Sequence, residues 1–248
     1  MMKILYFDYT YKCCNYYRDI RDVLSDMFNV KVISKNIHRE ITLYKPDIFI
    51  VGFSVTDCGD NPPTLDLNNI DIPLYIILNK EYTGIFKKLD WIKSITPQPK
   101  KIFSVHHDVD IYQEYCKIPF HRIMWSANEN IFKKYDDNYC NDLFFSGVIR
   151  KEQTDNMRHK VYNKLNELKG YSLLVNAAFY ENELLKGQLY NMTNEEYAKE
   201  INNSKIVLTT TGPGDLVGTR YFEIMASNKA LIMCNRMPSK IYDGITKE

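Results

Sequence analysis

What this chain lacks narrows its function sooner than what it holds. No apolar run in its 248 residues approaches the roughly 18 needed to cross a bilayer as a helix. The opening MMKILYFDYTYK has too short an apolar stretch for a secretory leader and no small-residue cleavage site. Charge of one sign is also missing: Lys and Arg total 32, Asp and Glu 31, and the net charge is +1. A dedicated nucleic-acid binder would show a basic stripe, and recruitment to a membrane surface would need a polybasic run. Cys13, Cys14, Cys58, Cys116, Cys140 and Cys234 are scattered without zinc-ligand spacing. That pattern fits reduced thiols in a cytoplasmic protein with no bound metal. Glycine is absent between Phe7 and Asn15, the first strand-to-helix turn, which counts against a dinucleotide fingerprint there.

Apolar residues make up 45% of the chain and charged residues 25%, as in an ordinary globular protein. Short apolar runs alternate with helical patterns, the signature of a parallel α/β sheet. In the first half, strands are expected at 3–7, 30–33, 47–53, 74–78, 102–105 and 121–125. Helices are expected at 16–28, 37–44, 85–95 and 110–116, the first with Ile20, Val23, Leu24 and Met27 on one face. The charged stretch 129–141 has no strand pattern, so a boundary is placed near Asp136. The pattern then restarts with a strand at 143–146 and Gly147 as a turn. A helix at 154–168 is expected to face Met157, Val161, Leu165 and Leu168 inward. Strands at 173–175, 205–209 and 230–234 and helices at 194–201 and 219–227 complete it. The expected architecture is two Rossmann-like lobes, 1–136 and 137–248, the second truncated soon after its last strand.

The most informative segment is SKIVLTTTGPGDLVGTRYFEIMASNKALIMCN, residues 204–235. It reads as a buried strand, a loop of glycines and hydroxyls, a short helix and another buried strand. Asp215 precedes the helix and Glu223 lies within it, with seven residues between them. Such a helix start offers free N–H groups and a positive dipole end to an anion, and the carboxylates suit sugar hydroxyls. Alternatively, Asp215 and Thr219 merely cap the helix and Glu223 lies on its solvated face; the helix is short, stands between two apolar strands, and is expected to pack Phe222, Met225 and Ala226 inward. Arg220 argues for the ligand, because a cation in the first turn is unfavourable until an anion arrives.

This segment resembles glycosyltransferases of the GT-B fold, which carry an acid, seven residues and a second acid heading an E-A-M-A-x-G-x-P-V-I run. Asp215, Gly218 and Glu223 stand at the first acid, the loop glycine and the second acid, and Glu223 opens EIMASNKALI. Asn228 and Ala230 replace the family's Gly and Pro. The spore-maturation CgeB-like branch is closer still, through SKIVL and the RYFE element, Arg220 to Glu223. The resemblance implies a nucleoside-diphosphate sugar as donor and no tightly bound cofactor or metal. It also implies the donor on the second lobe, a glycan or protein acceptor on the first, and chemistry between them. Glu223 would receive the ribose, and Asp215 would lie near the sugar or diphosphate. Gly218, Thr219 and Arg220 would form the anion site. After FFSG, the family's first strand and turn of this lobe, Gly147, Arg150 and Lys151 would flank the diphosphate, with Arg158 as a further cation.

In the first lobe, His106-His107-Asp108 ends a strand. Either the histidines pack and Asp108 caps the next helix, or one histidine serves as a general base. His106, His107 and Asp57 are the candidates for that base. Two other readings remain beside transfer: a nucleotide-sugar-binding module without turnover, and a different nucleotide-dependent α/β enzyme such as an epimerase.

Overall fold

A computed structural model describes residues 1–9, 15–56, 58, 61–79, 84–135, 139–150, 157–180, 192–212 and 216–233. The chain divides into two compact units, Met1–Met124 and Trp125–Glu248. The division falls earlier than the expected boundary near Asp136. Phe132, with Ala127 and Ile131, packs among Phe144, Ala198, Ile201 and Val207 of the second unit, and Asn202 bonds the Tyr135 and Lys133 main chain.

The first unit is built on six parallel strands: β1 (Lys3–Phe7), β2 (Asn29–Ile33), β3 (Ile48–Val51), β4 (Leu74–Leu78), β5 (Lys101–Ser104) and β6 (Phe120–Arg122). Their order is β2-β1-β3-β4-β5-β6. Helices α1 (Asn15–Met27), α2 (Ile37–Tyr44), α3 (Ile85–Ser94) and α4 (Val109–Cys116) connect them. The central strands are continuous apolar runs because both faces are covered. Leu5 and Phe7 join Phe49, Val51, Ile76 and Ile102 in one cluster. Ile4 and Tyr6 alternate to the other face and are equally buried.

α1 departs from its expected packing. Val23 is 58% and Met27 60% exposed, while Ile20 and Leu24 are half-buried. The helix lies against β2, the outermost strand, so one flank has no strand beneath it.

The second unit repeats the plan with β7 (Asn141–Arg150), β8 (Leu173–Tyr180), β9 (Ser204–Thr209) and β10 (Ala230–Met233), all parallel in the order β10-β9-β7-β8. Its helices are α5 (Met157–Glu167), α6 (Asn194–Asn202) and α7 (Thr219–Ala226). Thr193 and Glu196 form a reciprocal capping box at the start of α6. In α5 only Leu165 is fully buried. Val161 is half-buried, while Met157 and Leu168, expected inward, are 38% and 45% exposed.

In both sheets the chain reverses its order beside the first strand, between β1 and β3 and between β7 and β9. Open α/β sheets hold ligands outside the carboxyl ends of their strands at such points. Among the described residues no helix is long and apolar enough to cross a membrane.

Candidate functional site

At the second unit's switch point, β7 outruns its neighbour. The β7–β9 ladder stops at Phe145 opposite Leu208, while the β7–β8 ladder continues to Arg150 opposite Tyr180. Gly147, expected as a turn, therefore lies within the strand, beyond the end of the β9 ladder. Arg158 of α5 occupies the space a side chain would take. A Cβ on Gly147 would stand 2.8 Å from Arg158 Cδ and 3.0 Å from Nε. Arg158 Nε donates to Thr210 Oγ1 at 3.3 Å, so the half-buried guanidinium reaches from β7 to the end of β9. Thr209, Thr210 and Thr211 are all buried there. No described residue hydrogen-bonds Thr211 Oγ1.

The segment from β9 to α7 comes next. Gly212 N–H donates to Leu216 C=O at 2.7 Å, drawing the ends of the loop together, and Val217 is buried. Gly218 caps α7 in an extended conformation, with no side-chain capping bond and open space where a Cβ would be. No acid sits in the first turn. The dipole there meets Thr219 and the Arg220 cation, an arrangement that favours an arriving anion.

The helix is rotated from the expected phase: Tyr221 and Ile224 are buried, Phe222 is half-buried, and Met225 and Ala226 are exposed. Arg220 and Glu223, three residues apart, share one half-buried flank. Asp215 and Lys151 lie outside the described residues. Arg150 closes β7, and its side chain is also outside them.

The first unit concentrates its buried polar groups on one edge. Asp8, Ser54, Thr56, Asn79, Lys88, Ser104 and His106 are its buried polar side chains among the described residues. All lie at or beyond the carboxyl ends of β1, β3, β4 and β5, except Lys88, whose Nζ reaches back from α3 to Asn79 C=O at 3.0 Å.

Asp8 and Ser54 mark the switch point itself. Asp8 is 9% exposed. Its Oδ1 accepts from Ser54 N–H at 3.2 Å and from Ser54 Oγ, while Ser54 Oγ accepts from Tyr9 N–H at 2.7 Å. Burial lifts the Asp8 carboxyl from 3.8 to about 6, against the opposing pull of the Ser54 and Tyr9 main-chain N–H groups and the Arg21 charge. Directly beneath, burial pushes the Tyr6 phenol well above its usual range, and no described group bonds its hydroxyl.

His106 and His107 stand at the end of β5, away from the switch point. His106 is 4% exposed, its Nδ1 3.0 Å from the Tyr112 hydroxyl and 3.3 Å from Asp108 N–H. It thus ties down the start of α4. His107 stacks on it with ring centroids 4.1 Å apart and planes 25° from parallel. Asp108 Oδ2 lies 3.6 Å from one nitrogen of each ring, which superficially resembles a metal triad. Stacked imidazoles direct their lone pairs along nearly parallel planes, which do not converge on an ion at about 2.1 Å from both. The third base candidate, Asp57, lies outside the described residues.

Sequence reasoning missed Asp8 and Ser54. The available signal was a lone carboxylate directly after the apolar run KILYF. No protein-family model matches the chain, and no curated protein is significantly similar to it.

Proposed function

We propose that this protein is a glycosyltransferase of the GT-B type whose second unit binds a nucleoside-diphosphate sugar. The observation that carries the reading is the carboxyl edge of the second sheet. There Arg158 lies over Gly147 and reaches Thr210, and β9 leads on to the start of α7, which has no side-chain capping bond and carries Arg220 and Glu223 on one flank. A diphosphate suits the two arginines and the helix N-terminus, and the Glu223 carboxylate suits the ribose hydroxyls. As the glycosidic bond breaks, charge develops on the departing diphosphate, and fixed cations and N–H groups stabilise it. The acceptor belongs to the first unit, where buried polar groups line the corresponding edge.

A thermal-shift screen with UDP-, GDP- and ADP-sugars, and with NAD, tests this. A ligand at about 100 times its Kd adds roughly 2.7 kcal/mol to the folded state. One nucleotide-sugar class is expected to stabilise the protein, and Glu223→Ala to abolish the shift. Stabilisation by NAD alone would sink the reading. Release of free nucleoside diphosphate then separates an enzyme from a binding module without turnover.

A further inference from the structure

We infer that the switch point of the first sheet is a binding site for a neutral, hydroxyl-bearing ligand, with Asp8 as its principal hydrogen-bond acceptor. The identification of that ligand with a sugar or polyol acceptor rests on the transferase reading; the binding site itself does not.

The first support is position. Asp8 follows β1 and Ser54 follows β3, the strand pair at which the sheet order reverses. The second is an incompletely satisfied carboxylate. Both Ser54 hydrogen bonds end on Oδ1; the Tyr9 N–H also acts on the carboxylate but donates to Ser54 Oγ, and among the described residues no hydrogen bond ends on Oδ2. A carboxylate this buried is costly to ionise without further donors, which agrees with its elevated pKa. A fold with no use for the charge would be more stable with an amide at this position.

Charge selects the ligand class. Among the described residues, the titratable groups that act on Asp8 are Tyr6 from β1 and Arg21 from α1, and the contact from β3 is the neutral Ser54. Arg21, paired with Asp22, also draws the Asp8 pKa down, so an arriving ammonium would meet a cation already present, and an arriving phosphate or carboxylate would meet Asp8. A hydroxyl donates to Oδ2 without adding charge. Thr56, Asn79 and Ser104 add uncharged hydrogen-bonding groups along the edge, while the Lys88 ammonium is bound to Asn79 C=O and His106 to Tyr112 beyond β5.

The test compares wild type with Asp8→Asn. Without ligand, Asp8→Asn is expected to melt higher at pH 7.5. Between about pH 4 and 6 the folded state retains a proton that the unfolded state releases, so wild-type stability falls as pH rises through that window. The advantage of Asp8→Asn should therefore vanish near pH 4. With glucose, galactose, N-acetylglucosamine or glycerol at 100 mM, at least one is expected to raise the wild-type Tm by about 2–4 °C, the effect of a ligand at about five times its Kd. That shift should be lost in Asp8→Asn, and glucosamine or glucose 6-phosphate should give less than half of it.

Three results would overturn the inference: a less stable Asp8→Asn at pH 7.5, a sugar shift that survives the substitution, or an equal response to the charged analogues. The absence of any sugar shift would do the same. Nucleotide-sugar binding in Asp8→Asn is the separating control. If it persists while the sugar shift is absent from wild type, only this inference fails. If no nucleotide sugar binds while an Asp8-dependent sugar shift appears, only the transferase reading fails.

Discussion

Each unit has a glycine on the strand pair at its switch point, after β3 in the first and within β7 in the second, and uses it differently. In the first, Gly52 follows β3, and an added Cβ would stand 2.6 Å from the Tyr6 hydroxyl and 2.8 Å from its ring. Tyr6 is fully buried, so the ring has nowhere to go. In the second, the Gly147 position is crowded instead by the half-buried Arg158 side chain. A rigid buried ring makes the first glycine a requirement of the fold. A flexible cation makes the second a requirement of where charge is held. Close approach of a side chain to a glycine is thus ambiguous until the mobility and chemistry of that side chain are known.

Substitution separates the two cases. Gly52→Ala is expected to have the largest effect, a loss of about 3 kcal/mol through overpacking against Tyr6, read as a lower urea midpoint; a loss below about 1 kcal/mol would erase the contrast. Gly147→Ala should cost under about 1 kcal/mol in the same experiment, because Arg158 can swing aside. It should nevertheless weaken nucleotide-sugar binding about tenfold, roughly 1.4 kcal/mol, measured by calorimetry. Equal losses of stability at both positions would show that Arg158 is held as firmly as Tyr6.

A smaller contrast concerns helix starts. Thr193→Ala removes one half of the α6 capping box and should cost about 1 kcal/mol. Asp108 caps α4 without a side-chain capping bond, so Asp108→Ala should cost less than half as much by thermal melting.

Much of the scaffold was legible because its strands are continuous apolar runs flanked by breakers. Lys3–Phe7 and Leu74–Leu78 were located to the residue for this reason. Short helices were harder to orient. Two turns of α7 offer Tyr221 and Phe222 side by side, and only the neighbouring strands determine that Tyr221 goes inward. Gly147 read as a turn because glycine usually interrupts strands, and the reason for its place in β7 is an arginine from another element. Asp8 was invisible for a related reason. A carboxylate after a strand is commonplace, and its burial depends on Ser54, 46 positions away. Arg220 stood out as a cation in a helix's first turn and Glu223 through its resemblance to the family's second acid; three positions on a helix then set them on a common side whichever residue is buried.

The gathering of buried polar side chains on one edge of the first sheet also bears on how such a chain can change over time. Among its described residues the opposite edge has none, so hydrophobic exchanges there alter folding and leave any ligand contacts untouched. Exchanges on the polar edge can redirect recognition while the apolar strands keep the scaffold standing. Selection for a new ligand and selection for stability therefore act on separate sets of positions. A saturation library of this unit should resolve them as two distinct patterns of tolerance.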